Sequence, residues 1–205
     1  LHDNSKISRK FYQNPFIDNL DKNKSLKEIL IIQRNAIITR FKKSHTEKFI
    51  IGVSGGLDST LTLLNAIFVC DYLKISRKNI FGITMPGFGT SNKTLSNSEI
   101  LLKNLDITSK IISIKEACEN HFKDIEHDNK IINKTFENTQ ARERTQILFD
   151  LANDLNGIVL GTGDMSEIAL GFTTYNGDHI SNYNPNANLT KTIIRELIFF
   201  ISQQK

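Results

Sequence analysis

Four short apolar runs, at residues 49–53, 80–85, 111–114 and 158–160, alternate with longer segments of helical spacing at 59–73, 94–105 and 139–155. Each run is short enough for a strand buried on both faces, and each helical stretch is long enough to carry the chain back across a sheet. In the last of them Ile147, Leu148, Leu151, Ala152 and Leu155 trace one apolar stripe, which Asn156-Gly157 ends. A first helix is expected after Ser25, where Leu26, Ile29, Leu30, Ile37 and Ile38 recur at near-helical spacing. The alternation predicts an α/β fold, a mainly parallel sheet with helices on both faces. Ligands of such sheets bind at the carboxyl ends of the strands.

The first run meets Ser54-Gly55-Gly56-Leu57-Asp58-Ser59 at the position of a strand-to-helix turn. Backbone amides in such a turn surround phosphate oxygens, and the helix N-terminus adds favourable potential. Two glycines let the chain approach an anion without a Cβ in the way. No lysine follows them as it would in a Walker A loop, so clamping a γ-phosphate for transfer is not expected. The bland alternative is a plain turn in which Ser54 and Asp58 cap the helix.

The 205 residues, 39% hydrophobic and 23% charged, suit one α/β core. Residues 1–48 carry 11 Lys/Arg against 5 Asp/Glu, leaving 15 against 17 in the remainder. The basic excess therefore lies outside the chemical motifs, and no nucleic-acid partner is expected. Residues 1–24 read as a polar linker or arm, and 25–205 as the domain. The stretch 120–134, rich in Lys, Asp, Asn and His, reads as a surface loop or lid. Cys70 and Cys118 form no C-x-x-C pair, which fits a reducing, cytoplasmic setting. No run approaches the ~18 apolar residues of a membrane helix, so no membrane partner is expected. His121, His127 and His179 show no paired metal spacing and read as loop residues. Phe68, Phe81, Phe149 and Phe199 read as core.

SGGLDS at 54–59 is similar to the signature of the N-type ATP pyrophosphatases, which split ATP between its α and β phosphates. Further motifs narrow the resemblance: Met85-Pro86-Gly87-Phe88-Gly89-Thr90-Ser91, Asn138-Thr139-Gln140-Ala141-Arg142, Gly161-Thr162-Gly163-Asp164-Met165-Ser166-Glu167, then Tyr175-Asn176-Gly177-Asp178 and Lys191-Thr192. In this order they resemble the synthetase domain of glutamine-dependent NAD synthetase. The resemblance implies an adenine nucleotide alpha hydrolase-like fold, ATP and Mg2+ as cofactors, and amidation of deamido-NAD to NAD through an adenylated carboxylate. It implies ATP contacts at Gly52, Val53, Ser54, Gly55, Gly56, Leu57, Asp58, Ser59, Met85, Thr162 and Lys191. Asn138, Arg142, Glu167, Tyr175 and Asp178 fall to the dinucleotide, Asp58 and Glu167 to the metal, and Asp58, Glu167 and Lys191 to catalysis. Ammonia comes from glutamine through a glutaminase domain absent here, and a homodimer is the implied assembly.

Each position also has a structural reading. Thr162 and Asn138 suit helix caps, Lys191 a surface site, one of Arg142 and Arg144 a surface ion pair, and Asp164 a cap for the helix carrying Glu167. Tyr175 stands where ammonia-dependent members place a lysine, and Asn182 close to where they carry an aspartate, which favours the glutamine-dependent branch. The resembled enzymes continue past residue 205, so the chain is expected to be a fragment truncated at its C-terminus. Two alternatives stay open: another N-type pyrophosphatase, or a non-catalytic nucleotide-binding module.

Overall fold

The computed structural model describes residues 14–17, 20–90 and 92–204. Its centre is a parallel four-stranded sheet in the order β3-β2-β1-β4, with β1 at Lys48–Gly52, β2 at Ile80–Thr84, β3 at Thr108–Ile111 and β4 at Gly157–Val159. Phe49 pairs with Ile80 on one side and Ile158 on the other, so β1 is an interior strand. That is where Phe49, Ile50 and Ile51 are completely buried in succession, as a strand covered on both faces requires.

The pleat divides these side chains between two cores. Phe49, Ile51 and Val53 pack with Ile37 and Phe41 of α1 (Lys22–Ser44), with Leu63 and Val69 of α2 (Leu57–Leu73), and with Leu102 of α3 (Asn92–Asn104). Ile50, Ile83 and Val159 face Cys118 and Phe122 of α4 (Lys115–Asp124) and Phe136 and Ala152 of α5 (Lys134–Asp154). A third cluster joins Leu26 and Leu30 of α1, Leu61 of α2, and Ile193, Ile194 and Leu197 of α7 (Lys191–Ser202). The short α6 spans Met165–Leu170.

Strands β1, β2 and β3 run outward in sequence, then the chain returns through α4 and α5 to place β4 on the opposite side of β1. The order reverses between β1 and β4, and their carboxyl ends open a crevice there.

Several expectations are corrected. The third strand is Thr108–Ile111, a largely exposed edge, not a run at 111–114 buried on both faces. Ile114 is fully buried, but beyond the strand, where the chain turns into α4. The supposed lid at 120–134 begins inside α4, because Cys118 and Phe122 are one turn apart and both bury; His121 is thus helical. The first helix starts at Lys22 behind Asp21, whose side chain accepts from the Lys24 N–H. Ile17 is buried in the third cluster, while 1–13, 18 and 19 lie outside the described residues. The long helix begins at Lys134 with Asn133 as its cap, which places Asn138 in its second turn and removes the capping role. Phe68 and Phe199 are exposed, whereas Phe81 and Phe149 pack against the second core.

Candidate functional site

β1 ends at Gly52, and Val53 extends it by one bond, its N–H donating to the Ile83 carbonyl at 2.8 Å. The turn follows at once. Gly55 has φ +77°, a left-handed conformation that disfavours any residue with a Cβ. Gly56 is the N-cap of α2 and no side chain caps that helix, so neither Ser54 nor Asp58 plays the capping part. Ser59 and Thr60 instead turn their hydroxyls back onto the Gly56 carbonyl, at 3.2 and 2.8 Å. The leading amides of α2 are thereby left for an outside acceptor.

Asp58 points from the first turn of α2 toward a second group of carboxylates beyond β4. There Asp164 caps α6, its Oδ1 accepting from the Glu167 N–H at 2.8 Å, while Glu167 Oε2 accepts from the Asp164 N–H at 3.1 Å. This reciprocal capping box fixes Glu167 and removes Thr162 as the cap. Lys191, the first residue of α7, reaches all three carboxylates: Asp58 Oδ2 at 2.5 Å, Asp164 Oδ2 at 2.7 Å and Glu167 Oε1 at 3.2 Å. It is no solvated surface lysine.

Burial is the largest influence on Asp58, Asp164 and Lys191. It pushes the Asp58 carboxyl above its ordinary value, and Lys191 offsets only part of that. For Asp164 the same burial is outweighed by Lys191 and the Glu167 N–H, which leave its carboxyl below the usual range. Lys191 itself is held above the usual lysine range, since three carboxylates outweigh its desolvation.

The donor set fits a hard divalent cation. Asp58, Asp164 and Glu167 each offer an oxygen within 4.8 Å of the others, and Asp58 Oδ1 is buried with no hydrogen-bond partner. Magnesium takes oxygen ligands of this kind alongside phosphates. Asp164 was expected near the site with capping as its structural reading; its part in the ionic cluster had no local signal, because Lys191 lies 27 residues downstream.

The crevice is a cavity of about 1070 Å³. Gly52, Val53, Ser54, Asp58 and Met85 line it, together with Thr162 and Glu167. Asp178 and Arg144 line it further out, joined by a bidentate ion pair at 2.6 and 2.8 Å; Arg144 is thus the ion-paired arginine of the two. Gly55, Gly56, Leu57, Ser59 and Lys191 are not among its walls. Nor are Asn138, Arg142 and Tyr175, which meet one another instead. Asn138 Oδ1 accepts from the Tyr175 N–H at 2.9 Å and Arg142 donates to the Tyr175 carbonyl at 3.3 Å, so both hold a loop whose tyrosine is exposed. Asn182 is structural, its Oδ1 accepting from the Val159 N–H at 2.8 Å. Sequence reasoning missed Gln140, a buried wall residue whose Oε1 accepts from the Phe88 N–H at 3.0 Å. Its place inside the Asn138–Arg142 motif was the available signal.

The family model described as NAD synthase matches residues 31–202. The chain belongs to the NAD synthase family. Among members of that family, it is 42% identical over 175 residues to a glutamine-dependent NAD(+) synthetase from Mycobacterium leprae, covering 83% of this chain and 26% of that protein. The chain thus spans about a quarter of the length of that relative. The structure of an NH3-dependent NAD synthetase from Campylobacter jejuni, in complex with the nitrate ion, superimposes with a TM-score of 0.77 and 26% identity, over 87% of this chain and 74% of that one. A glutamine-dependent NAD+ synthetase from Acinetobacter baumannii in complex with ADP superimposes with a TM-score of 0.76 and 25% identity, over 87% of this chain and 33% of that one. The fold is accordingly the parallel α/β fold of the N-type ATP pyrophosphatases.

Proposed function

We propose that this chain carries out the ATP-dependent amidation of deamido-NAD to NAD, releasing AMP and pyrophosphate. The observation that carries the reading is the meeting of Asp58, Asp164, Glu167 and Lys191 beside the uncapped start of α2, at the mouth of a cavity large enough for a nucleotide and more. A carboxylate oxygen is a poor leaving group, so amidation needs prior activation. The nicotinate carboxylate attacks the α-phosphorus, the bond between that phosphorus and the bridging oxygen breaks, and pyrophosphate leaves. Ammonia then attacks the acyl carbon, AMP departs with the carboxylate oxygen, and the surplus ammonium proton passes to solvent.

In this reading the amides and hydroxyls of Ser54, Gly55, Gly56 and Ser59 receive the departing pyrophosphate, backed by the α2 N-terminus. Asp58 and Glu167 hold the magnesium ion. Bound there, it neutralises phosphate charge and makes the α-phosphorus a better electrophile. Asp164 keeps Glu167 oriented through the capping box, and Lys191 turns its ammonium to the phosphates. Val53, Leu57, Met85 and Thr162 bound the nucleotide, while Asn138 and Arg142 shape the Tyr175 loop beside Asp178 for the dinucleotide. Ammonia is supplied from glutamine by a glutaminase unit. We also infer a homo-oligomer, since Ile168, Leu170 and Phe172 are exposed beside the cavity mouth. A reducing cytoplasm suits the two buried, unpaired thiols. No helix among the described residues is long and apolar enough to cross a membrane.

The test is AMP release from magnesium ATP, deamido-NAD and ammonium chloride, with Asp58→Ala as control. AMP and NAD formed only with deamido-NAD present would support the reading. ATP binding with no AMP under any acceptor would favour a nucleotide-binding module instead.

A further inference from the structure

The segment between β4 and α7 carries Asn186, which is completely buried and has no part in the roles above. Its Nδ2 lies 3.0 Å from the Asp58 carbonyl, 3.1 Å from Thr62 Oγ1 and 3.4 Å from the Thr162 carbonyl. Both carbonyls only accept, so this atom is the amide nitrogen and the side chain has one possible orientation. The Thr62 hydroxyl donates to the Gly161 carbonyl at 3.1 Å, which leaves its oxygen free to accept.

Asn186 Oδ1 in turn accepts from Gln33 Nε2 at 3.2 Å, and that nitrogen also donates to the Pro185 carbonyl at 2.8 Å. Gln33 Oε1 accepts from Asn65 Nδ2 at 3.0 Å, and Asn65 Oδ1 accepts from Arg34 Nε at 3.1 Å. Arginine only donates. The series therefore runs one way, from the Arg34 guanidinium through Asn65, Gln33 and Asn186 to the carbonyls of Asp58 and Thr162. Gln33 and Asn65 are buried as well, so the three amides of the relay are shielded from competing water while Arg34 at its head is half-buried, and hydrogen bonds aligned this way polarise one another.

We propose that Asn186 is a positioning residue for the nucleotide–metal site. It bridges the first turn of α2, which carries Asp58, to the loop that leads to Glu167, and the relay ties that bridge to α1, an element with no residue in the site. The inference rests on the reading of Asp58 and Glu167 as holders of magnesium ATP. Two carboxylates on separate helices hold one cation well only at a fixed separation. Asn186 spans the two segments at their backbones, where side-chain rotation cannot absorb a shift. A neighbouring bond reinforces the arrangement: Asn184 Nδ2 donates to the Gly163 carbonyl at 2.8 Å and its Oδ1 accepts from the Asn186 N–H at 3.0 Å.

The experiment is calorimetric binding of ATP to this chain across a magnesium series, for wild type, Asn186→Ala, Gln33→Met and Ile80→Ala. Ile80 lies fully buried in the first core and outside the relay, so it controls for lost stability alone. Asn186→Ala is expected to raise the magnesium concentration for half-maximal binding roughly tenfold, the scale of losing one or two buried hydrogen bonds. Gln33→Met, one step back along the relay, should move it in the same direction by roughly threefold, and keeps the test decisive if Asn186→Ala does not fold. Ile80→Ala should leave it unchanged. Wild-type magnesium dependence in both relay variants, or an equal shift in Ile80→Ala, overturns the positioning role while leaving the function standing. Failure of wild type to bind ATP at any magnesium concentration overturns the functional reading and this inference together.

Discussion

Replacing Lys191 with methionine keeps the aliphatic stem and removes the ammonium shared by three carboxylates. The Asp164 side chain is 0% exposed and that of Asp58 18%, against 38% for Lys191 and 35% for Glu167. Breaking a fully buried ion pair from one side costs about 3–5 kcal/mol, because the remaining charge keeps its desolvation penalty. Only Asp164 is wholly buried, and Asp58 escapes part of the penalty by taking up a proton, as its raised pKa already favours. The lower end, about 3 kcal/mol, is therefore expected.

In a domain of this size each kcal/mol moves the melting temperature by about 2–4 °C, so the variant should melt roughly 6–12 °C lower. Calorimetric melting with and without 10-fold excess magnesium over EDTA is the assay. A divalent cation takes over charge compensation once the ammonium is gone. Magnesium should accordingly raise the melting temperature more in Lys191→Met than in wild type. A drop below about 3 °C, or an equal magnesium effect in both proteins, would refute the reasoning, since either means the carboxylates do not depend on a shared cation.

Three further outcomes are expected. Lys191 has a folded pKa above its ordinary 10.5, so its stabilisation is fully present below that pH and is lost as pH rises through the folded value. Urea melts of wild type and Lys191→Met should therefore converge as pH is raised above about 10.5, and parallel curves would contradict this. Asp164→Ala loses both the cap on α6 and the lysine contact, whereas Asp164→Asn keeps the capping oxygen; urea melts should place alanine below asparagine by about 1 kcal/mol. Burial pushes the Cys70 and Cys118 thiols up to about 11, so iodoacetamide at pH 8 should label neither in the native protein and both in urea, as read by mass spectrometry.

Legibility in the sequence followed distance along the chain. The glycine turn at 54–59 was readable because strand, turn and helix are local patterns, whereas Glu167 was named only through the family resemblance. Strands β1, β2 and β4 lay where apolar runs put them, since each is covered by helices. β3 did not, because an edge strand needs no apolar run: its burial is intermediate at Thr108 and absent after it. α7 went unread although Ile193, Ile194 and Leu197 have helical spacing, for its motif drew attention to Lys191 alone. Asn138 and Arg142 were read as ligand contacts, and the structure adds what no local pattern carries, a shared hold on the Tyr175 backbone.

The hardest part to read was what makes the site one object. Asp58 sits on α2, Glu167 on α6 and Lys191 on α7, and each is held by groups remote in sequence. A strand order that reverses between β1 and β4 brings the first two loops side by side but leaves their separation undetermined. Closing that gap requires an element that touches both, and the stretch from Asn182 to Lys191 does so. It supplies a bridging amide at Asn186 and a bridging ammonium at Lys191, one acting on backbone and the other on charge. Without this stretch both bridges are gone, and the carboxylates repel with nothing to set their distance.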